Sequence, residues 1–229
     1  KIREKNILKI YNIIRRFDLK EWGGIESVCY NLSKELKKLD CDPMILATMA
    51  MSNKKSDEIE NIKIRRFKYF YPYLTLDSNK KSLFDRKGGN PISRHLIRFV
   101  KKNLKEGDII HFHTFGVMTN LMAYFCIKNK RPYIISIHGG FLEVDGKENH
   151  YFKNLYKKTL SYVKIFDFIF NTEKMLSNAS GIICVGKGEC LKMREKFYYS
   201  TISIPTFTFD SFRVVNLYYK AIKKVCNYY

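Results

Sequence analysis

Three histidines stand on or directly after apolar runs of strand length. His111 and His113 alternate in Ile109-Ile-His-Phe-His113, and His138 follows Tyr133-Ile-Ile-Ser-Ile137. Alternate residues of a strand face the same side of a sheet, so His111 and His113 could chelate a metal. No third ligand accompanies them, and a ligand-facing or core role suits the pair better than a metal site. His138 begins the segment His138-Gly139-Gly140. A histidine at the carboxyl end of a strand can donate a hydrogen bond to a sugar hydroxyl, or to a carbonyl or phosphate oxygen. The two glycines after it leave room for a ligand, and the plainer alternative is a loop histidine bonded to nearby backbone. Nearer the start, Gly23 and Gly24 precede an apolar-periodic segment whose first turn carries Glu26. Glycines admit a ligand close to the backbone, and a helix N-terminus offers unpaired N–H groups to a phosphate. A tight strand-to-helix turn would look the same. The GxGxxG dinucleotide fingerprint is missing, so nicotinamide cofactors have no support.

The elements that must position these residues read as alternating strands and helices. The predicted strands are Ile7–Ile14, Met44–Met49, Ile62–Phe67, Ile109–His113, Tyr133–Ile137, Gly181–Val185 and Thr201–Ile204. Between them fall helices over Ile25–Leu39, with Ile25, Val28, Leu32 and Leu36 as its stripe, and over Ile92–Leu104 and Val117–Lys128. Further helical segments are expected in Lys147–Ser177, with a short one between the last two strands. Lys68–Pro91 reads as the longest irregular segment and is expected to be mobile. Such alternation predicts an α/β chain: a doubly wound, mainly parallel Rossmann-like sheet with helices on both faces. Ligands of such sheets bind outside the carboxyl ends of the strands, near the switch point. This directs attention to the loops at 15–24, 114–116 and 138–146.

Composition bounds the rest. The chain has 229 residues, 45% of them hydrophobic, which supports a sizeable core and excludes a disordered chain. The net charge of +20 suits an anionic partner, be it nucleic acid, an acidic membrane surface or a phosphorylated substrate. The six cysteines are scattered without a CxxC pair and read as reduced, buried thiols of a cytoplasmic protein. No signal peptide pattern is visible. The longest apolar stretch, Ile109–Ile127, is broken by His111, His113, Thr114, Gly116 and Asn120, which argues for strand, turn and helix instead of a membrane span.

Read together, these segments resemble glycosyltransferase family 4. Trp22-Gly-Gly-Ile-Glu26 is similar to the family's GGxE loop, and Asp108 with His111 and His113 to its D-x-x-H-x-H strand. Pro132–Gly139 resembles its strand ending in His-Gly. Ala179-Ser-Gly-Ile-Ile-Cys-Val185 with Glu189 resembles a later family segment, and Ile202-Ser-Ile-Pro205 its V-I-P-N-G strand. Ser180, Gly186 and Thr206-Phe207 depart from the family's usual Asp, Ser and Asn-Gly.

The resemblance implies the N-terminal, acceptor-side half of a GT-B fold over residues 1–205. A tail over 206–229 would form a C-terminal helix packing back on it, with the donor-binding domain absent from the chain. It further implies transfer of a sugar from a nucleotide-sugar to an acceptor hydroxyl, with retention of configuration and no cofactor or essential metal. His138 would be the catalytic contact to the transferred sugar. Gly23 and Gly24 would approach the diphosphate or acceptor, with Glu26, His113, Gly139 and Gly140 as supporting residues of the substrate site. The alternative is a non-catalytic or split-enzyme subunit that needs a separate donor-binding partner chain.

The basic charge has its own candidate. In Pro91–Leu104, Ile92, Leu96, Phe99 and Val100 form an apolar stripe beside Arg94, Arg98, Lys101 and Lys102. Docking to an anionic membrane surface that carries a lipid-linked acceptor is one reading. A helix covering the sheet with a solvated basic face is the other. His150–Lys158 allows the same pair of readings. Nucleic acid is disfavoured, because no stacking or groove-reading motif appears. The implied location is cytoplasmic, either free or peripheral at the inner face of a membrane.

Overall fold

The structure is a computed structural model. It describes residues 7–73, 76–87, 89–138, 172–184, 190, 191, 193, 195 and 201–203. In chain order it forms β1 (Lys9–Arg16), α1 (Gly24–Lys38), β2 (Asp42–Thr48), β3 (Ser56–Ile59), β4 (Ile62–Phe67), α2 (Ser78–Arg86), α3 (Arg94–Asn103), β5 (Ile109–Phe112), α4 (Val117–Lys128), β6 (Tyr133–Ile137), α5 (Thr172–Ser177), β7 (Gly181–Cys184) and β8 (Thr201–Ser203).

The strands make one eight-stranded sheet in the order β3-β4-β2-β1-β5-β6-β7-β8. Every pairing is parallel except that of β3 with β4. From β1 the chain moves outward to β2, then returns to place β5 on the other side of β1. The carboxyl ends of β1 and β5 therefore flank the switch point, where a doubly wound sheet opens a crevice.

Side-chain alternation sorts the strands onto two faces. On one face Tyr11, Ile13, Ile110, Phe112, Ile135 and Ile137 pack under α3, α4 and α5, which contribute Leu96, Val100, Met118, Met122, Met175 and Leu176. On the other face Ile10, Ile109, Ile134 and Ile183 form an apolar row that Leu32 and Leu36 of α1 cover. One pleat further along the same face the row turns polar: Asn12, His111 and Ser136 are all buried. The sheet is thus apolar under the middle of α1 and polar near its carboxyl edge.

Several elements differ from expectation. The buried positions of α1 are Glu26, Cys29, Tyr30, Leu32, Ser33 and Leu36, while Val28 is 45% exposed. The stripe is rotated because Ser33 faces the polar row, a contact that hydrophobic periodicity does not record. The segment Lys68–Pro91 is not wholly irregular. It contains α2, capped by the Asp77 side chain accepting from the Lys80 N–H at 2.8 Å. It also holds a bridge between Phe70 and Ile92 and a cluster of Tyr71, Tyr73 and Phe84. Asp85 accepts hydrogen bonds from the hydroxyls of Tyr69 at 2.6 Å and Tyr71 at 2.9 Å, fixing that cluster.

β3 was not expected. It is a four-residue edge strand joined to β4 by a two-residue turn, Glu60-Asn61, with φ of 46° and 64°. Positive φ at both central positions matches the type I′ turn that suits the twist of a hairpin. The stripe of α3 resolves into Leu96 and Val100, both buried against the sheet, with Arg94, Arg98, Lys101 and Lys102 outward. No helix among the described residues is long and apolar enough to cross a membrane. The expected C-terminal helix and the boundary at 205/206 lie outside the described residues.

Candidate functional site

Two loops and one hydrogen-bonded core meet at the carboxyl edge of the sheet. The first loop closes at Gly23 and enters α1. Gly23 has an ordinary extended backbone, and its requirement is one of space: a Cβ there would lie 2.5 Å from Oε2 of Glu26. That oxygen accepts the Gly23 N–H at 3.1 Å, and Oε1 of the same carboxylate pairs with the Arg16 guanidinium at 3.0 Å. Both oxygens of Glu26 are engaged, so the residue braces the loop and lies 5% exposed beneath it. A Cβ on Gly24 would meet nothing within 4 Å. The exposed backbone at Gly24 is therefore open to an approaching ligand at a helix N-terminus.

Arg16 was not among the residues singled out from the sequence, and neither was Arg15. The Arg15 guanidinium donates to the carbonyls of Phe84 and Asp85 at 3.0 and 2.8 Å, tying the C-terminus of α2 to β1. With Asn90, Thr114 and Gly116 it lines a small, shallow recess beside the start of α4. Gly116 has φ of 138°, a conformation that favours glycine, and lies against the Asn90 side chain.

The polar row forms the floor. Oδ1 of Asn12 lies 3.2 Å from Nδ1 of His111 and 3.2 Å from Nε2 of His113. Nδ2 of Asn12 donates to Oγ of Ser33 at 2.9 Å, and that hydroxyl donates to the Cys29 carbonyl at 2.8 Å. Nε2 of His111 meets Oγ of Ser136 at 2.6 Å, and Nδ1 of His113 meets Nε2 of His138 at 3.2 Å. The rings of His113 and His138 stack with 18° between their planes. Asn12, Ser33, His111 and His113 are 0–1% exposed, whereas His138 is half-buried at the rim. Burial holds the imidazoles of His111 and His113 well below the usual histidine range and lowers His138 to about 4. The chain of rings is therefore uncharged at neutral pH.

His113 and His138, both predicted from sequence, are brought into direct contact, and Gly23, Gly24 and Glu26 sit at the neighbouring loop of the same sheet edge. Gly139 and Gly140 lie outside the described residues. Asn12 and Ser33 were missed. A buried asparagine inside the apolar run Ile10–Ile14 was the available signal, since such a side chain needs partners. Among the described residues no group of three His, Cys, Asp or Glu could hold a metal ion. Cys29, Cys41, Cys126, Cys184 and Cys190 are buried, and none of them forms a disulfide among the described residues.

A Rossmann-like domain with its polar crevice at the switch point of a mainly parallel sheet is the class that these features define, and it is the N-terminal half of a GT-B glycosyltransferase fold. The sequence profile of Glycosyltransferase Family 4 matches residues 22–200, and the chain belongs to that family. Sucrose-phosphate synthase from Thermosynechococcus elongatus has a similar structure, with a TM-score of 0.55 and 12% identity over 86% of this chain and 48% of that one. A second, shorter structure of the same synthase gives a TM-score of 0.53 and 11% identity over 95% of this chain and 98% of that one. At such identities the likeness is one of fold. The chain spans about half the length of the full synthase. Comparison with curated proteins by sequence finds no match.

Proposed function

We propose that this chain supplies the acceptor side of a glycosyltransferase, which moves a sugar from a nucleotide-sugar donor to an acceptor hydroxyl with retention of configuration. The observation that carries this reading is the placement of His138. Its half-buried ring stands at the carboxyl end of β6, backed by the buried neutral chain through His113, at the edge where Gly24 opens the N-terminus of α1. Catalysis in such a cleft rests on positioning and on electrostatic stabilisation of the departing diphosphate, and calls for no cofactor or resident metal. His138 contacts the transferred sugar. Gly23 and Gly24 let the diphosphate or acceptor approach, with the loop braced by Glu26 from below.

The acceptor in this reading is a lipid-linked or cell-surface glycan. The outward basic face of α3, with Arg94, Arg98, Lys101 and Lys102 exposed, supports an electrostatic approach to an anionic membrane surface. Leu96 and Val100 are spent on the sheet, so this face has no wide apolar stripe for insertion. Co-sedimentation with anionic but not neutral liposomes is expected, and equal binding to both removes the membrane from the proposal.

Because the chain spans 48% of the synthase, a donor-binding half is required, carried on the same polypeptide or on a partner chain. With that half present, His138→Ala is expected to lower turnover by about 100-fold or more. A rate within twofold of the unaltered protein would reject the role of His138. Titration of nucleotide-sugar separates a split enzyme, whose affinity rises when the partner is added, from a non-catalytic subunit, which shows no such gain. Steeply salt-dependent binding to DNA or RNA would instead favour a nucleic-acid module.

A further inference from the structure

We propose that Asn12 and Ser33 are positioning residues for His138: acting through His113, they place the His138 proton on Nε2 and leave Nδ1 as the atom offered to a ligand.

The constraint on the rings begins at Ser33 of α1, beneath the rim. Ser33 has one hydroxyl proton, and the Cys29 carbonyl takes it at 2.8 Å. At the Ser33–Asn12 contact the hydroxyl oxygen must then accept, which makes the Asn12 nitrogen the donor at 2.9 Å and turns Oδ1 of Asn12 toward the two imidazoles. An amide oxygen only accepts. The ring nitrogens 3.2 Å from it, Nδ1 of His111 and Nε2 of His113, therefore carry protons. Both rings are buried and neutral, so each keeps a lone pair on its other nitrogen. On His111 that lone pair is on Nε2 and accepts from Ser136 at 2.6 Å. On His113 it is on Nδ1, which faces Nε2 of His138 at 3.2 Å. That contact becomes a hydrogen bond only if Nε2 of His138 donates.

His138 is thus fixed as the Nε2–H tautomer, and its Nδ1 accepts. The sequence alone suggested a donor to a sugar hydroxyl or to a carbonyl or phosphate oxygen. The chain of contacts replaces this with an acceptor, which matches a ligand hydroxyl and disfavours a carbonyl or phosphate oxygen at Nδ1. A hydroxyl of the bound sugar or of the acceptor meets that requirement. The assignment of that ligand rests on the transferase reading above; the tautomer does not.

The test is a long-range proton–nitrogen correlation spectrum of the 229-residue chain labelled with nitrogen-15 at neutral pH. The chain holds five histidines, and single His→Gln substitutions assign their rings. The unaltered protein is expected to show His138 and His113 protonated on Nε2 and His111 on Nδ1. Asn12→Leu removes the acceptor facing the rings, so His113 is expected to turn to Nδ1–H, donate to His138, and move the His138 proton to Nδ1. Ser33→Ala frees the amide to rotate and is expected to give a mixture of the two His138 forms. It is the milder change and carries the test if Asn12→Leu does not fold. A His138 proton on Nδ1 in the unaltered protein, or an unchanged His138 tautomer in the folded Asn12→Leu or Ser33→Ala variant, would overturn the proposal. The readout is a nitrogen spectrum and not turnover, so absence of transferase activity bears on the proposed function and leaves this relay standing.

Discussion

β1 carries two sets of polar side chains that meet burial in opposite ways. At Asn12 the partners are neutral: two imidazoles, an amide and two hydroxyls, joined by direct contacts of 2.6–3.2 Å. At Arg15 and Arg16 the groups are charged. They hold loops to the sheet through the carbonyls of α2 and the carboxylate of Glu26, at positions that remain partly exposed. The contrast follows from desolvation. A charge stripped of water beneath α1 would cost several kcal/mol even with a partner, whereas a neutral polar group costs little once its hydrogen bonds are made. The interior can therefore define the orientation of a ring at the rim without placing a net charge there. The arginines set where the loops lie.

The largest effect is expected at the interior end of β1. Asn12→Leu should strand two imidazole N–H groups and the Ser33 contact, lowering unfolding free energy by roughly 3–5 kcal/mol in denaturant titration. Asn12→Asp keeps an acceptor but buries a carboxylate at a fully covered site, so it should also destabilise at neutral pH, and a loss below about 1 kcal/mol would contradict the desolvation argument.

Acid should act almost as strongly. The unfolded chain protonates its histidines near pH 6.5, while folded His138 resists until about 4 and the two buried rings resist further. Stability is then complete above pH 6.5 and falls as pH drops, with His138 alone accounting for a loss on the order of 3 kcal/mol between those values. Unfolding midpoints that stay flat from pH 7 to 4.5 would contradict burial of the neutral chain, and His138→Gln should flatten part of the slope.

The loops should respond less. Gly116→Ala forces a side chain into positive φ against Asn90 and should destabilise by about 2 kcal/mol in thermal unfolding. The smallest contrast lies in adjacent glycines. Gly23→Ala drives a Cβ into the Glu26 carboxylate and should cost about 1 kcal/mol, whereas Gly24→Ala meets open space and should change stability by less than about 0.5 kcal/mol. If Gly24→Ala weakens ligand binding without touching stability, the open backbone there serves the ligand.

Much of the fold was legible because strands buried on both faces advertise themselves. Tyr133–Ile137 and Val117–Lys128 fall where the apolar runs and the 3.6-residue period place them. β3 was not legible: Ser56–Ile59 is polar, and it becomes a strand only because β4 offers it an edge. The helix α2 was hidden by its polar surface, since among its described residues only Phe84 and Asp85 are buried. At the site, His113, His138 and the glycine loop could be found by type and position. Asn12 and Ser33 could not be joined on sequence alone, because their contact crosses from β1 to α1. Glu26 was placed correctly in the first turn of α1, but its engagement by Gly23 and Arg16 depends on the fold of the intervening loop.

The short hairpin that ends the sheet at β3 has a consequence for how molecules of this protein meet one another. An outermost strand exposes a ladder of unmet N–H and C=O groups that can recruit a second copy. Here that strand is four residues long and bears Asp57 and Glu58, with Glu60 in the adjoining turn. Two copies approaching rim to rim would have a ladder of only four residues to share. The carboxylates are matched by cations of the same chain, Asp57 by Arg66 and Lys54 and Glu60 by Lys34, so the rim is closed by ion pairs within one molecule. Brevity and charged side chains together make that rim a poor template for edge-to-edge pairing.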